Sequence, residues 1–258
     1  MTEFSVYLDD GGHPDDQPYL VVAGYVATEA QWLAFEPRWK ETLAKYSLDY
    51  PFHMTDFMYN KRYSALRRDQ ILCDLAAIVK AYTSHPFVSA LDVKAYKRIN
   101  DEFALEECHG APYALACRSL VRAFRIWTKA NLQPDDHMLT FIEEGTKHYG
   151  DLEQVFKRDR LPIPHRVPKT TAQVQPADIL AWELFNWLRA GRPKKPSKNL
   201  DRLTHYIRTK QSLGGIVLEH DMRRICKDTK APLRSTLKPG DTIAFHSERK
   251  RKRKRTIK

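Results

Sequence analysis

Residues Tyr19 to Ala27 read YLVVAGYVA, an almost unbroken run of apolar and β-branched side chains. A strand of that composition has no polar face to offer water, so it must lie inside a sheet with a layer of structure on each side. Just before it, Phe4 to Asp10 forms a second apolar run, joined to the first through a short Gly-, Pro- and Asp-rich loop, and the two are predicted to pair as an antiparallel hairpin. A sheet covered on both faces requires helices, and the rest of the chain supplies them.

Thr28 with Gln31 three residues on has the pattern of a capping box, and Trp32, Phe35 and Trp39 then share one face of a helix expected to end near Lys45. Pro51 to Phe57 reads as a short strand or extended loop, Ser64 to Tyr82 as a helix, and Phe87 to Asp92 as a strand after which the chain turns. Pro112 to Ala130 is a strong amphipathic helix, and His137 to Ile142 another strand. A helix around Asp151 to Lys157 precedes a Pro-rich extended segment, Leu161 to Lys169, and a helix from Gln175 to Arg189. Strands alternating with helices after an initial hairpin predict an α/β fold, a mixed sheet with helices on both faces. Residues 1–190 are expected to form the domain and 191–199 a basic, Pro-containing linker. Residues 200–247 are expected to add a helical extension with two short helices packed on the core, and 248–258 a disordered tail.

At 258 residues with 42% hydrophobic content the chain can bury a large core, and no stretch approaches the roughly 20 apolar residues that span a bilayer. The start of the chain has no signal-peptide pattern. Cys73, Cys108, Cys117 and Cys226 lack CxxC spacing and three fall in apolar helical stretches, which fits a reduced, cytoplasmic protein. A zinc site built on Cys108, His109 and Cys117 lacks a fourth ligand and the paired spacing such sites use. The net charge of +11 is misleading until located: residues 249–258 hold eight basic residues and no acid, leaving +3 on the rest. Such a tail suits salt-dependent tethering to nucleic acid, and equally an inert solubilising role.

Three acidic positions carry the chemistry. Asp9 and Asp10 end the first strand and run into Gly11-Gly12, where glycines leave room for a ligand or another backbone. Glu143 and Glu144 end a later strand in the same way, before Gly145. Asp178 sits in the first turn of the apolar helix QPADILAWELFNWL. Each has a plain reading, an Asp-Gly turn for the first and a charge on the helix dipole for the last. Together, at strand ends and a helix start, they can converge over one sheet edge, where like charges oppose joint ionisation unless a divalent cation joins them.

Tyr7-Leu8-Asp9-Asp10-Gly11-Gly12 resembles the opening Tyr-Ile-Asp-Glu-Ser-Gly strand of the domain-of-unknown-function family 3800. Gln175-Pro-Ala-Asp178-Ile-Leu-Ala is similar to that family's late Gln-x-Ala-Asp helix, and Phe52-His53-Met54-Thr55-Asp56 also looks like a segment seen in many members. The resemblance spans roughly residues 4–190 and implies an RNase H-like fold whose acids hold metal for phosphodiester cleavage. Carried over, Asp9 matches the first-strand acid and Asp178 the helix acid, while Glu143 or Glu144 takes the later-strand role by position. Asp10 stands for Glu with a shorter reach, and Gly11 for Ser. The expectation is a nuclease using Mg2+ or Mn2+ held by Asp9, Glu143 and Asp178 in a two-metal hydrolysis. Asp10, Glu144 and His53 stand as further catalytic candidates.

His53, beside Phe52 and Phe57, could contact water or phosphate, or serve as a hydrogen-bonded structural residue, with Asp56 orienting the imidazole or capping the next segment. The partner expected is DNA or RNA, bound through the sheet edge and the tail, with no membrane. Tyr46, Tyr50, Tyr59 and Tyr63 near Lys61, Arg62, Arg67 and Arg68 suggest a base-stacking strip. A silent RNase H-like binding module is the alternative, and Trp182 and Trp187 suit a core or a homo-oligomer interface equally.

Overall fold

A computed structural model describes residues 2–12, 17–145, 149–193, 195–204 and 214–237. The hairpin forms as expected: β1 (Glu3–Gly11) pairs antiparallel with β2 (Tyr19–Thr28), in a register that sets Tyr7 opposite Tyr25 and Asp9 opposite Ala23. Helices α1 (Glu29–Lys45), α2 (Met54–Tyr59) and α3 (Ala65–Tyr82) follow, then β3 (His85–Asp92), α4 (Val93–Glu102), α5 (Leu105–His109) and α6 (Pro112–Asn131). The chain continues through β4 (His137–Glu143), α7 (Tyr149–Asp159), β5 (His165–Val167), α8 (Gln175–Arg189), α9 (Lys198–Leu203), β6 (Gly214–Val217) and α10 (Glu219–Thr229). No helix among the described residues is long and apolar enough to cross a membrane.

The six strands form one mixed sheet in the order β5-β4-β1-β2-β3-β6. β2 is antiparallel to both its neighbours, while β1 with β4, β4 with β5 and β3 with β6 are parallel. Every strand but β2 therefore points the same way, and their carboxyl ends gather at one edge, where open α/β sheets offer ligands a crevice. One apolar core, built from α4, α6, α7 and α10, covers the face carrying Val6, Leu8, Val22 and Leu91. A second, from α1, α2, α3, α8 and α9, covers the face carrying Val21, Ala23 and Tyr25. β2 is thus buried on both sides, as its composition requires.

Several local expectations are corrected. Residues 54–59 are helical rather than extended, because the Met54 N–H is taken up by the Asp178 carboxylate and Met54 and Phe57, one turn apart, are both buried. Beyond Asp92 the chain enters a helix rather than a simple turn. The Asp92 side chain accepts the Ala95 N–H at 2.9 Å, and Val93, Tyr96 and Ile99 supply the buried stripe. The Pro-rich segment contains strand β5, and the region expected to hold only two helices also contributes β6, a Gly-Gly-Ile-Val strand whose conformation comes from pairing with β3. The stretch read as a linker is anchored at its end: Glu183, buried on α8, accepts from Ser197 Oγ at 2.7 Å and Asn199 Nδ2 at 3.3 Å. The basic tail lies outside the described residues.

The centre of the sheet depends on a missing side chain. A Cβ on Gly24 of β2 would lie 1.9 Å from the Tyr7 carbonyl oxygen and 2.8 Å from Leu8 Cδ2. Gly24→Ala is expected to cost about 3 kcal/mol or more in urea unfolding, by forcing the β1–β2 ladder apart. A loss below about 0.5 kcal/mol would contradict this packing.

Candidate functional site

Side chains alternate faces along a strand, so the adjacent Asp9 and Asp10 cannot serve one face together. Leu8 belongs to the core beneath α6, and Asp10 shares that side, where its charge adds to burial in raising the Cys117 thiol pKa. Tyr7 and Asp9 point the other way, towards α8. On the parallel neighbour β4, Leu8 is level with Ile142, which sets Tyr7 beside Phe141 and places Glu143 on the same face as Asp9. The stacked Tyr7 and Phe141 rings, 4.8 Å apart and 13° from parallel, hold that register. Glu144 lies just past the end of β4 in a turn and is exposed, with its backbone N–H spent on the Val167 carbonyl at 2.8 Å.

Helix α8 brings Asp178 over this edge. It approaches closely because β1 ends in glycine: a Cβ on Gly11 would meet the Ala181 carbonyl oxygen at 3.1 Å. Gly12, at φ +83°, leaves no space for one beside the Tyr19 carbonyl and the Phe185 ring. Of the two uses that the sequence left open for these glycines, the structure shows another backbone. Gln175, also buried, ties the start of α8 to the layer above, its Oε1 accepting from Trp39 Nε1 at 2.8 Å and from the Phe52 N–H at 3.1 Å.

Asp9 and Asp178 are each 8% exposed. Asp9 Oδ1 accepts the Asp10 N–H at 2.8 Å and Asp178 Oδ2 the Met54 N–H at 2.6 Å. Burial, then the charges of Asp178, Glu143 and Asp10, push the Asp9 carboxyl well above the ordinary range against the pull of its backbone bond. Burial lifts Asp178 to about 6, opposed by the Met54 N–H and by nearby His53. His53 is half-exposed, with Nδ1 3.3 Å from Asp56 Oδ2, and both residues line a cleft with Phe52, Phe57 and Tyr63.

A further residue, unmarked in the sequence reading, completes the site. Lys169 Nζ lies 3.2 Å from Glu143 Oε1, and its charge also reaches Asp9 and Asp178. Its one mark in the sequence is its place at the end of the Pro-rich segment, just ahead of the QPAD helix. Among the described residues, no three of His, Cys, Asp and Glu stand close enough together to hold a metal ion. The donor chemistry suits Mg2+ or Mn2+, since the carboxylate oxygens are hard, largely withdrawn from water and in need of a counter-charge. Glu143, however, is engaged by the lysine.

Other candidate groups are satisfied internally. His109 is buried, its Nδ1 2.5 Å from Arg118 Nη1 and its Nε2 2.9 Å from Thr229 Oγ1, so both ring nitrogens are committed and none is offered to zinc with Cys108. The base-stacking strip is only partly exposed. Tyr46 and Tyr63 are buried, Arg67 lies over the Tyr46 ring, and Arg68 donates to the Asn60 carbonyl, which leaves Tyr50 and Tyr59 at the surface.

No family model matches the chain, and no curated protein matches it. Among solved structures it is similar to Bst-RNase HIII in complex with Mn2+, at 15% identity and a TM-score of 0.40, over 86% of this chain. The chain spans 64% of the length of that protein.

Because the folded-state pKa of Asp178 lies above its ordinary value of 3.8, the metal-free protein is expected to lose stability as pH rises from about 4 through about 6. Asp178→Asn keeps an acceptor for Met54 but cannot ionise. Relative to wild type it should gain on the order of 1–3 kcal/mol between pH 4 and 7 in chelator-treated urea titrations. A wild-type-to-variant difference that does not change with pH would contradict the burial of this charge.

Proposed function

We propose that this protein is a divalent-metal-dependent nuclease of RNase H-like type that hydrolyses phosphodiester bonds in DNA or RNA. One observation carries the reading: Asp9 from β1 and Asp178 from α8 are buried together at the carboxyl edge of the sheet with Glu143 from β4 beside them, an arrangement of like charge that calls for a cation. The YLDDGG and QPAD motifs, with their resemblance to domain-of-unknown-function family 3800, support it from the sequence side.

Asp9 and Asp178 would hold Mg2+ or Mn2+, and Glu143 would close in as the third ligand on release from Lys169. When bound, the metal supplies activation of water and stabilisation of charge on phosphate. The chain does the rest. Backbone N–H groups of Asp10 and Met54 fix one oxygen of each aspartate. The imidazole of His53, half-exposed beside Asp56 in the lining of a cleft, can hydrogen-bond water or phosphate. Asp10, on the other side of the pleat, and Glu144, exposed in the turn after β4, lie outside this ligand set.

A second reading has its own support: the Lys169–Glu143 ion pair supplies an internal counter-charge, so the fold could keep these acids as a nucleic-acid- or protein-binding module without turnover.

Purified protein assayed on single- and double-stranded DNA and RNA with Mg2+ or Mn2+ separates the two. The nuclease reading expects cleavage that falls roughly 100-fold or more in Asp9→Asn and Asp178→Asn. Equal cleavage by the variants would refute the assignment of these acids. Oligonucleotide binding without cleavage in any arm would favour the silent module.

A further inference from the structure

We infer that Lys169 is the resident counter-ion of the acidic site: it balances the carboxylates while no divalent cation is held, and turns to an anionic phosphate group of the substrate once Glu143 is taken up by metal. The inference rests on the nuclease reading and assigns a substrate-binding role within it.

The position of Lys169 is built by the fold. Glu143 is level with Val167 in the parallel β4–β5 pairing, so β5 delivers the chain to the same sheet edge as the acids. The next four residues form a turn closed by the Thr171 N–H on the Pro168 carbonyl at 2.8 Å, and the Tyr50 hydroxyl donates to the Thr170 carbonyl. The lysine stem runs past Gly145, where a Cβ would stand 3.9 Å from Cε. The ammonium thus arrives at Glu143 from an anchored backbone.

Most exposed lysine–carboxylate pairs are incidental and contribute little. Two features separate this one. The Glu143 side chain is only 16% exposed whereas that of Lys169 is 61% exposed, so the partner that can leave is the lysine, whose flexible stem can swing into solvent without disturbing the core. The field of Lys169 also extends to Asp9 and Asp178, so one ammonium serves three carboxylates. A divalent cation at those oxygens repels it, and a phosphate diester brought to the same edge supplies the next nearest negative charge.

The test is Mn2+ binding by calorimetry on the full chain, for wild type, Lys169→Met, Lys169→Arg and Asp9→Asn. Lys169→Met is expected to bind Mn2+ at least about fivefold tighter than wild type, because a competing positive charge is gone, with Lys169→Arg near wild type. Its melting temperature should be lower than that of wild type without metal and rise further on adding Mn2+. With Ca2+ present, Lys169→Met should bind a short single-stranded oligonucleotide at least about fivefold more weakly, and Lys169→Arg should restore binding. Equal Mn2+ affinity in wild type and Lys169→Met overturns the counter-ion role, and unchanged oligonucleotide affinity overturns the transfer to phosphate. Mn2+ uptake that Asp9→Asn does not alter is a different failure, since it overturns the metal reading and this inference with it.

Discussion

Two carboxylates withdrawn from water on one face of a sheet, with a third negative charge beside them, form the constraint around which this structure is arranged. Burying an ion is costly unless it is hydrogen-bonded and its charge offset. Asp9 and Asp178 meet the first requirement with the backbone N–H groups of Asp10 and Met54, and Lys169 contributes to the second through Glu143. The raised pKa values of both aspartates show that compensation is incomplete. Carboxyls left under-compensated in this way cost stability, and perturbed groups of this kind cluster at functional sites; under the proposed function the missing positive charge is that of a divalent cation.

The surrounding fold holds the acids at that edge. The stacked Tyr7 and Phe141 rings fix the β1–β4 register that aligns Asp9 with Glu143. Gly11 and Gly12 let α8 settle on the strand end, and Gln175 pins the first turn of α8 to Trp39 and Phe52. The same carboxylate that would serve as a ligand also organises α2 through Met54, so chemistry and local structure share one residue. That coupling explains why the helix at 54–59 escapes a reading of its own sequence: its first hydrogen bond comes from a residue more than a hundred positions away.

Much of the architecture was legible in the chain because it rests on local pattern. The continuous apolar run of β2, the capping box at Thr28 and the apolar stripes of α6 and α8 each predict their element from short-range physics. What was not legible depends on partners distant in sequence. β6 is too short and glycine-rich to announce itself, and it is a strand because β3 pairs with it. Asp9, Glu143 and Asp178 were readable as candidates, whereas the separation of Asp10 follows from strand pleat and that of Glu144 from the end of β4, which the doubled acids in the sequence obscure. Lys169 carried no motif at all. Its role emerges only when β5 sets it against Glu143.

The central claim is that Asp9, Asp178 and Glu143 act as one electrostatically coupled site able to accept a divalent cation. Carbon-13 NMR titration of the aspartate side-chain carboxyls, with and without Mg2+, tests it most directly. The account predicts that Asp178 titrates near 6 in the metal-free protein, that Asp9 titrates well above the ordinary carboxylate range and comes down in Asp178→Asn, and that Mg2+ drives both aspartates to ionise at lower pH. Ordinary titration of both carboxyls, indifferent to each other and to Mg2+, would contradict it.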